Sequence, residues 1–99
     1  MPNLDIKVME RAAQMLKAVA HPVRINLINL LVTHKQLSVG ELQQYLGTTQ
    51  SMTSQHLSAL KNVGVVGYEK EANVCYYFIQ NKNVLKLLAC VEKCAQRNI

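Results

Sequence analysis

Thr48-Thr49-Gln50-Ser51-Met52-Thr53-Ser54-Gln55-His56-Leu57-Ser58-Ala59-Leu60-Lys61 is the stretch on which the reading of this chain turns. Thr53, Leu57 and Leu60 stand at i, i+4 and i+7, the spacing of a helix face that packs inward. Gln50, Ser51, Ser54, Gln55 and Ser58 then face outward. Between Gln50 and Leu60 no Asp, Glu, Lys or Arg occurs, which is odd for a solvated helix in a basic chain. The segment is rich in Ser and Thr, mediocre helix formers, so something other than helix propensity selects it. Short neutral donors and acceptors suit base edges in a major groove, where Gln pairs with adenine and Ser serves several bases. Gln50, Ser51, Ser54 and Gln55 are therefore the candidate base-facing residues, and Lys61, at the far end, is a candidate phosphate contact. The alternative is an exposed helix whose Ser and Gln serve only solubility. His56 is read as a core or structural residue, with a cap or a phosphate approach as its other uses.

Just before this stretch, Ser38 followed by Glu41 three residues later predicts a capping box opening a short helix that ends near Leu46. Gly47 suits the left-handed stop, and Thr48 and Thr49 can cap the next helix, about 50–63, which Gly64 ends. Residues 38–63 thus read as a helix-turn-helix. Further upstream, 5–20 has helical period, with Ile6, Met9, Ala13, Leu16 and either Val19 or Ala20 on one side and Lys7, Glu10, Arg11, Gln14 and Lys17 on the other. His21-Pro22 breaks that run and starts a helix to about Thr33, with Val23, Leu27, Leu30 and Leu31 inward and Arg24 and Asn26 nearer the surface. Downstream, residues 65–79 change to a strand pattern with a turn at Glu71-Ala72-Asn73, a short hairpin or wing. Lys70 in it is a second phosphate candidate, flanked by Glu69 and Glu71. A last helix over 83–97 carries Val84, Leu87, Leu88, Val91 and Ala95 on its apolar side.

The expected fold is mostly α with a small β-hairpin: a winged helix-turn-helix in the order α-α-α-α-β-β-α, one domain over 1–99. With 99 residues there is room for one domain, and the first and last helices have little left within it to bury against. Packing them on a second copy is the economical arrangement, so a homodimer through 5–20 and 83–97 is expected; packing on their own core is the alternative. The net charge is +5, from 11 Lys and Arg against 6 Asp and Glu. A dimer carries twice that, which favours a polyanionic partner. Apolar runs are too short to span a membrane, and the N-terminal stretch with Asp5 and Glu10 has no signal-like segment. Three Cys, an odd number, argue against a disulfide framework and for a reducing cytoplasm.

The combined pieces resemble the ArsR/SmtB family of bacterial winged-helix repressors, which respond to metals, metalloids or redox signals. The matching segments are Leu16-Lys17-Ala18-Val19-Ala20-His21-Pro22-Val23-Arg24, Leu37-Ser38-Val39-Gly40-Glu41-Leu42, Thr49 to Lys61, and Gly64-Val65-Val66. The resemblance implies a homodimer on an inverted-repeat operator in double-stranded DNA, with Gln50, Ser51, Ser54 and Gln55 at the base-contacting positions. The family's effector sites carry over poorly. Ser38 to Gln43 holds no Cys for the thiolate site, and Asn81, Asn83, Cys94 and Arg97 offer no carboxylate or His for the zinc site. The redox-sensing arrangement with a Cys near Gln43 lacks that Cys.

Cys90 and Cys94 remain as effector or redox candidates, with a soft metal or metalloid ion as a candidate ligand. Four residues apart, they project from one side of the last helix. Lys86, Lys93 and Arg97 favour thiolate there, while the helix's C-terminal dipole opposes it. Their Cβ atoms in an intact helix are about 5–6 Å apart, against about 3.8 Å in a relaxed disulfide. The alternative is two small hydrophobes in a seam, which leaves a constitutive repressor. No Gly-rich phosphate loop or HExxH pattern is present, and His21, His34 and His56 have no evident carboxylate partner, so an enzyme is not expected. A winged-helix module for protein interaction is the remaining rival, and the groove-compatible face of residues 50–58 argues against it.

Overall fold

A computed structural model describes residues 5–97; the first four and last two residues of the expected 1–99 domain lie outside the described residues. Helix α1 spans Ile6–Val19 and is opened by Asp5, whose carboxylate accepts from the Lys7 N–H at 3.0 Å. It ends in a tight reversal. Ala20 lies at φ −78, ψ 63 and the His21 N–H donates to the Val19 carbonyl at 2.8 Å, the pattern of an inverse γ-turn. Helix α2, Pro22–His34, leaves that turn at 89° to α1. His21 is its cap, Nδ1 accepting from the Val23 N–H at 3.1 Å, and Pro22 fills the first helical position.

Helix α2 keeps Asn26, Asn29 and Thr33 on its exposed strip but carries Arg24 among its inward positions, which blurs its inward face in a periodicity argument. Leu27, Ile28 and Leu31 are the buried ones, while Ile25 and Val32 are exposed. Arg24, expected near the surface, is half-buried because its guanidinium is engaged by two neighbouring helices, as described below. After Lys35 the chain forms a two-residue strand not anticipated from sequence, β1 at Leu37–Ser38. Ser38 then opens α3, Val39–Leu46, through a complete capping box: Ser38 N–H to Glu41 Oε1 at 2.9 Å and Glu41 N–H to Ser38 Oγ at 3.2 Å. Gly47 stops it at φ 65, a left-handed conformation that glycine adopts without a Cβ penalty.

Helix α4, Gln50–Asn62, follows at once, with the Thr49 hydroxyl accepting from the Met52 N–H at 3.1 Å. Gly64, at φ 79, turns the chain into strands β2, Val66–Glu71, and β3, Val74–Ile79. Their turn is two residues, Ala72-Asn73, rather than three, and Glu71 pairs with Val74 inside the ladder. The sheet is antiparallel in the order β1-β3-β2, with Leu37 opposite Tyr77 and Ser38 opposite Tyr76. Helix α5, Asn83–Arg97, closes the described chain.

Leu27, Ile28, Leu31, Leu42, Leu57, Leu60, Val65 and Val66 form the centre of the core, contributed by α2, α3, α4 and the start of the hairpin. Each such side chain contributes roughly 1.5–3 kcal/mol of hydrophobic free energy when fully buried. The flanking helices share little in this: α1 buries only Ala18 and Val19, and α5 only Val84. Among the described residues no single helix is long and apolar enough to cross a membrane.

Candidate nucleic-acid interface

Helix α4 is held rigidly by its inner face. Thr53, His56, Leu57 and Leu60 are buried, and the Thr53 hydroxyl donates to the Thr49 carbonyl at 2.9 Å and lies 2.6 Å from the Thr48 hydroxyl. The turn before α4 is thereby tied to its second turn. The opposite side is open. Gln50, Ser51, Gln55 and Ser58 are exposed and Ser54 is half-buried, so the residues at i, i+1, i+4, i+5 and i+8 make one continuous uncharged face. Met52, 49% exposed, stands at the edge of that face and was not assigned a role from sequence.

Lys61 closes this helix and Lys70 stands in the hairpin that follows. The Lys61 ammonium lies 4.6 Å from the centre of the Tyr68 ring, a cation–π contact that fixes the end of α4 to β2. Tyr68 itself leans on Tyr77, ring centres 5.5 Å apart. Burial, then Cys75, then Tyr68 raise the Tyr77 pKa, keeping that phenol neutral. Strand alternation puts Val66, Tyr68 and Lys70 on one face of the hairpin and Gly67, Glu69 and Glu71 on the other. Lys70 thus stands on the same side as Tyr68, and the two glutamates that flank it in sequence point away from it. Sequence reasoning passed over Tyr68, and only the ladder register and the end of α4 together reveal it.

The sequence candidates on α5 are separate from this surface. Cys90 and Cys94 are both exposed, whereas Cys75 is half-buried opposite Lys70 in the hairpin. Among the described residues no group of three or more His, Cys, Asp and Glu is placed to hold a metal ion, so the three cysteines do not form one cluster. Around Cys94 the end of α5 is basic, with Lys93 and Arg97 exposed beside it. Between α1 and α5 runs an apolar groove that includes Met15, Leu16, Val19, Val84 and Leu87. Its surroundings are apolar and uncovered: Ile6 is 65% exposed, Leu16 51% and Val91 50%.

Comparison with known proteins gives a consistent result. The sequence pattern of the bacterial regulatory proteins of the arsR family matches residues 21–68, from the cap of α2 into β2. The chain is 34% identical over 83 residues to the HTH-type transcriptional regulator YgaV of Escherichia coli K12, covering 84% of each chain. It is 36% identical over 89 residues to the transcriptional repressor PagR of Bacillus anthracis, covering 87% of this chain and 89% of that one. Among solved structures, it superposes with a TM-score of 0.84 on the homodimeric winged helix-turn-helix DNA-binding domain Mb0332 of Mycobacterium bovis. That match is 26% identical and covers 99% of this chain and 93% of the other.

Proposed function

This chain belongs to the bacterial arsR family of regulatory proteins and is a DNA-binding transcriptional regulator rather than an enzyme, and on that premise we propose that it represses transcription by binding an inverted-repeat operator as a homodimer. The observation that carries this reading is the uncharged face of α4. Gln50 and Gln55 have the paired donor and acceptor that matches adenine, and Ser51 and Ser54 supply short hydroxyls between them. Lys61 and Lys70, on the same flank, are the phosphate contacts that orient the helix in the groove.

The homodimer forms through α1 and α5. Ile6, Met9 and Leu16 on one helix and Leu87 and Val91 on the other leave an apolar surface that the subunit does not cover. A second copy of the same surface covers it without burying a charge. The homodimeric Mb0332 domain supports this assembly and the repressor PagR supports the direction of regulation. Two copies of α4 then meet successive half-sites about 34 Å apart on one side of the duplex. Cys90 and Cys94 lie on the helix that forms the seam, so a thiol-reactive compound or a soft metal ion bound there alters the spacing of the two recognition helices and releases DNA.

The test is a gel shift with the region upstream of the protein's own coding sequence against a random duplex. Replacing Gln50 or Gln55 with Ala lowers the preference for the specific duplex by about 1–3 kcal/mol. Replacing Lys61 weakens binding to both duplexes and flattens the salt dependence. Equal effects of the two kinds of substitution on both duplexes overturn the assignment of the groove-facing residues. For the effector, the Cys90→Ala, Cys94→Ala double variant should no longer release DNA at a dose of arsenite, zinc, peroxide or polysulfide that releases the parent.

A further inference from the structure

The inner side of α4 carries one polar group that the core has no obvious need of. His56 is 6% exposed, its ring faces the start of α2, and Arg24 stands between it and the last turn of α1. Its Nδ1 accepts a hydrogen bond from Arg24 Nε at 3.0 Å. A guanidinium has only donors, so Nδ1 must present a lone pair and the neutral ring carries its proton on Nε2. That Nε2 has no hydrogen-bond partner among the described residues. Arg24 in turn donates from Nη1 to the carbonyl of Ala18 at 3.1 Å. This carbonyl belongs to the last turn of α1, where acceptors are left over and the helix dipole favours a cation. The chain of contacts runs from the last turn of α1, through the first turn of α2, to the middle of the recognition helix.

Neither acceptor of Arg24 is a carboxylate. The other ring at this junction is His21, with its centroid 4.9 Å from that of His56, and His21 Nδ1 is also used as an acceptor, from the Val23 N–H. The junction therefore holds one fixed positive charge and two imidazoles whose Nδ1 lone pairs are both committed. The charged or titratable groups acting on His56 are Arg24 and His21, both from α2 and its cap. Helix α1 offers the junction the Ala18 carbonyl, and Lys17 beside it is exposed. On α3, Glu41 is occupied in the capping box and Tyr45 stacks on His34. From the sheet, β2 begins with buried Val66 and Gly67, and Lys61 of α4 itself sits over Tyr68.

We propose that His56 and Arg24 form an acid-releasable latch that positions the recognition helix: with His56 neutral, α4 is tied through Arg24 to α1, and protonation at Nδ1 unties it and lowers affinity for DNA. The proton that arrives at Nδ1 takes the lone pair that holds Arg24, and places an imidazolium N–H against a guanidinium N–H. Both groups are then cations and donors at hydrogen-bonding distance, and one must move. Arg24 is anchored to α1, so the displacement falls on α4, whose outer face carries Gln55 next in sequence.

The pH range follows from the direction of the shift. Burial first, then Arg24, then His21 lower the pKa of His56 from its ordinary value of 6.5. A lowered pKa means that the latch contributes fully above the ordinary value and is lost as pH falls through the lowered one. Simple electrostatics predicts the opposite for DNA: acid adds positive charge to a basic protein and strengthens its hold on phosphates. The sign of the pH effect therefore separates the two.

The inference rests on the DNA-binding reading, and its test includes a readout that does not. Affinity for the upstream duplex is measured at fixed ionic strength from about pH 8 to about pH 5.5, across the imidazole range, for the parent, His56→Asn and His21→Asn. In His56→Asn the side-chain amide oxygen takes the place of Nδ1, accepts from Arg24 and does not titrate; His21→Asn keeps a good helix cap and leaves His56 in place. The parent and His21→Asn should lose affinity several-fold on acidification while His56→Asn stays flat. An equal loss in His56→Asn, or a parent that strengthens or stays flat, overturns the latch. Without DNA, the ring proton resonances of His56 in the folded parent should titrate below the ordinary value, in step with the backbone amides of Val19 and Gln55. Titration without movement of those amides also overturns it. A parent that shows the coupled titration but prefers no duplex at any pH leaves the latch standing and refutes the DNA reading instead.

Discussion

Helices α4 and α5 are of similar length, 13 and 15 residues, yet they are stabilised in different ways. α4 buries four residues in its own subunit and leaves a polar face to solvent. α5 buries Val84 alone, holds Leu85 and Leu88 at the edge of the core, and exposes the apolar Leu87 and Val91 along with both its cysteines. The packing of α4 is complete within one subunit; α5 packs through Val84, Leu85 and Leu88, and its Leu87 and Val91 stay exposed among the described residues. The proposed roles fit this difference: a helix that reads DNA is fixed before it meets its ligand, and a helix that joins subunits keeps its apolar face for the partner.

The most demanding test of this contrast is to remove one large side chain from each helix. Leu60 is fully buried, and Leu60→Ala should cost about 2–5 kcal/mol, through lost burial and the cavity left behind. Urea unfolding at fixed protein concentration reads this directly. Leu87, 40% exposed in the subunit, should lose far less in a monomeric background, and a comparable cost for the two would mean that α5 is as much a part of the subunit core as α4.

Next in size is the charge test of α5. Val91→Glu places a carboxylate at the centre of the proposed seam, where an unpaired buried charge costs about 3–5 kcal/mol, or more than about a hundredfold in dimer dissociation. Light scattering should show one-chain mass at micromolar protein while circular dichroism retains the helical signal. A parent that already has the mass of one chain would remove the basis for the contrast. Operator affinity should fall together with dimer mass, because paired half-sites need two joined recognition helices.

Much of the α4 region is legible in sequence because its determinants are local. The Ser38–Glu41 capping box, Gly47 at a positive φ, and Thr53, Leu57 and Leu60 at helical spacing all act within a few residues. What escapes the sequence is what depends on distant pairing. Strand β1 is two residues long and exists through its partners Tyr76 and Tyr77. The Arg24–His56 bond joins residues 32 apart. Tyr68 is noticed only once the ladder register brings it under Lys61. In α2, the charge of Arg24 among the inward positions weakens the periodic contrast that would tell buried Ile28 from exposed Ile25.

A smaller effect distinguishes the two helices at their starts. Thr49 caps α4 with its hydroxyl, whereas α5 starts from Asn81, whose side chain accepts from the Asn83 N–H at 3.0 Å. Thr49→Ala should cost about 1 kcal/mol of stability, the usual loss for a helix cap. Because the same residue's carbonyl also holds Thr53 and remains in the variant, α4 should stay helical and the loss should appear in the unfolding midpoint. Asn81→Ala should cost a similar amount, and its effect should grow when dimer formation is required for the signal measured.

The smallest change is a gain. Lys35 ends α2 at φ 69, ψ −48, and the Gln36 N–H donates across it to the His34 carbonyl at 2.8 Å. This is the γ-turn of positive φ, rare and strained for a residue with a Cβ. The strain is tolerated because the turn is fixed from both sides: α2 is anchored by Leu31 before it, and Leu37 is buried after it. Lys35→Gly removes the Cβ conflict and adds freedom to the unfolded chain, two effects of opposite sign. Relief should prevail by about 0.5–1 kcal/mol, since strain at such a position exceeds the usual entropy difference between glycine and other residues. For a domain of this size that corresponds to a rise of a few degrees in Tm, on the order of 2–8 °C at constant protein concentration. Dimer mass should not change, because Lys35 is remote in sequence from both flanking helices and lies on the α2–β1 connection. A fall in Tm would show that the Lys35 side chain contributes more at the surface than its backbone costs, and would move the strain from the turn to its neighbours.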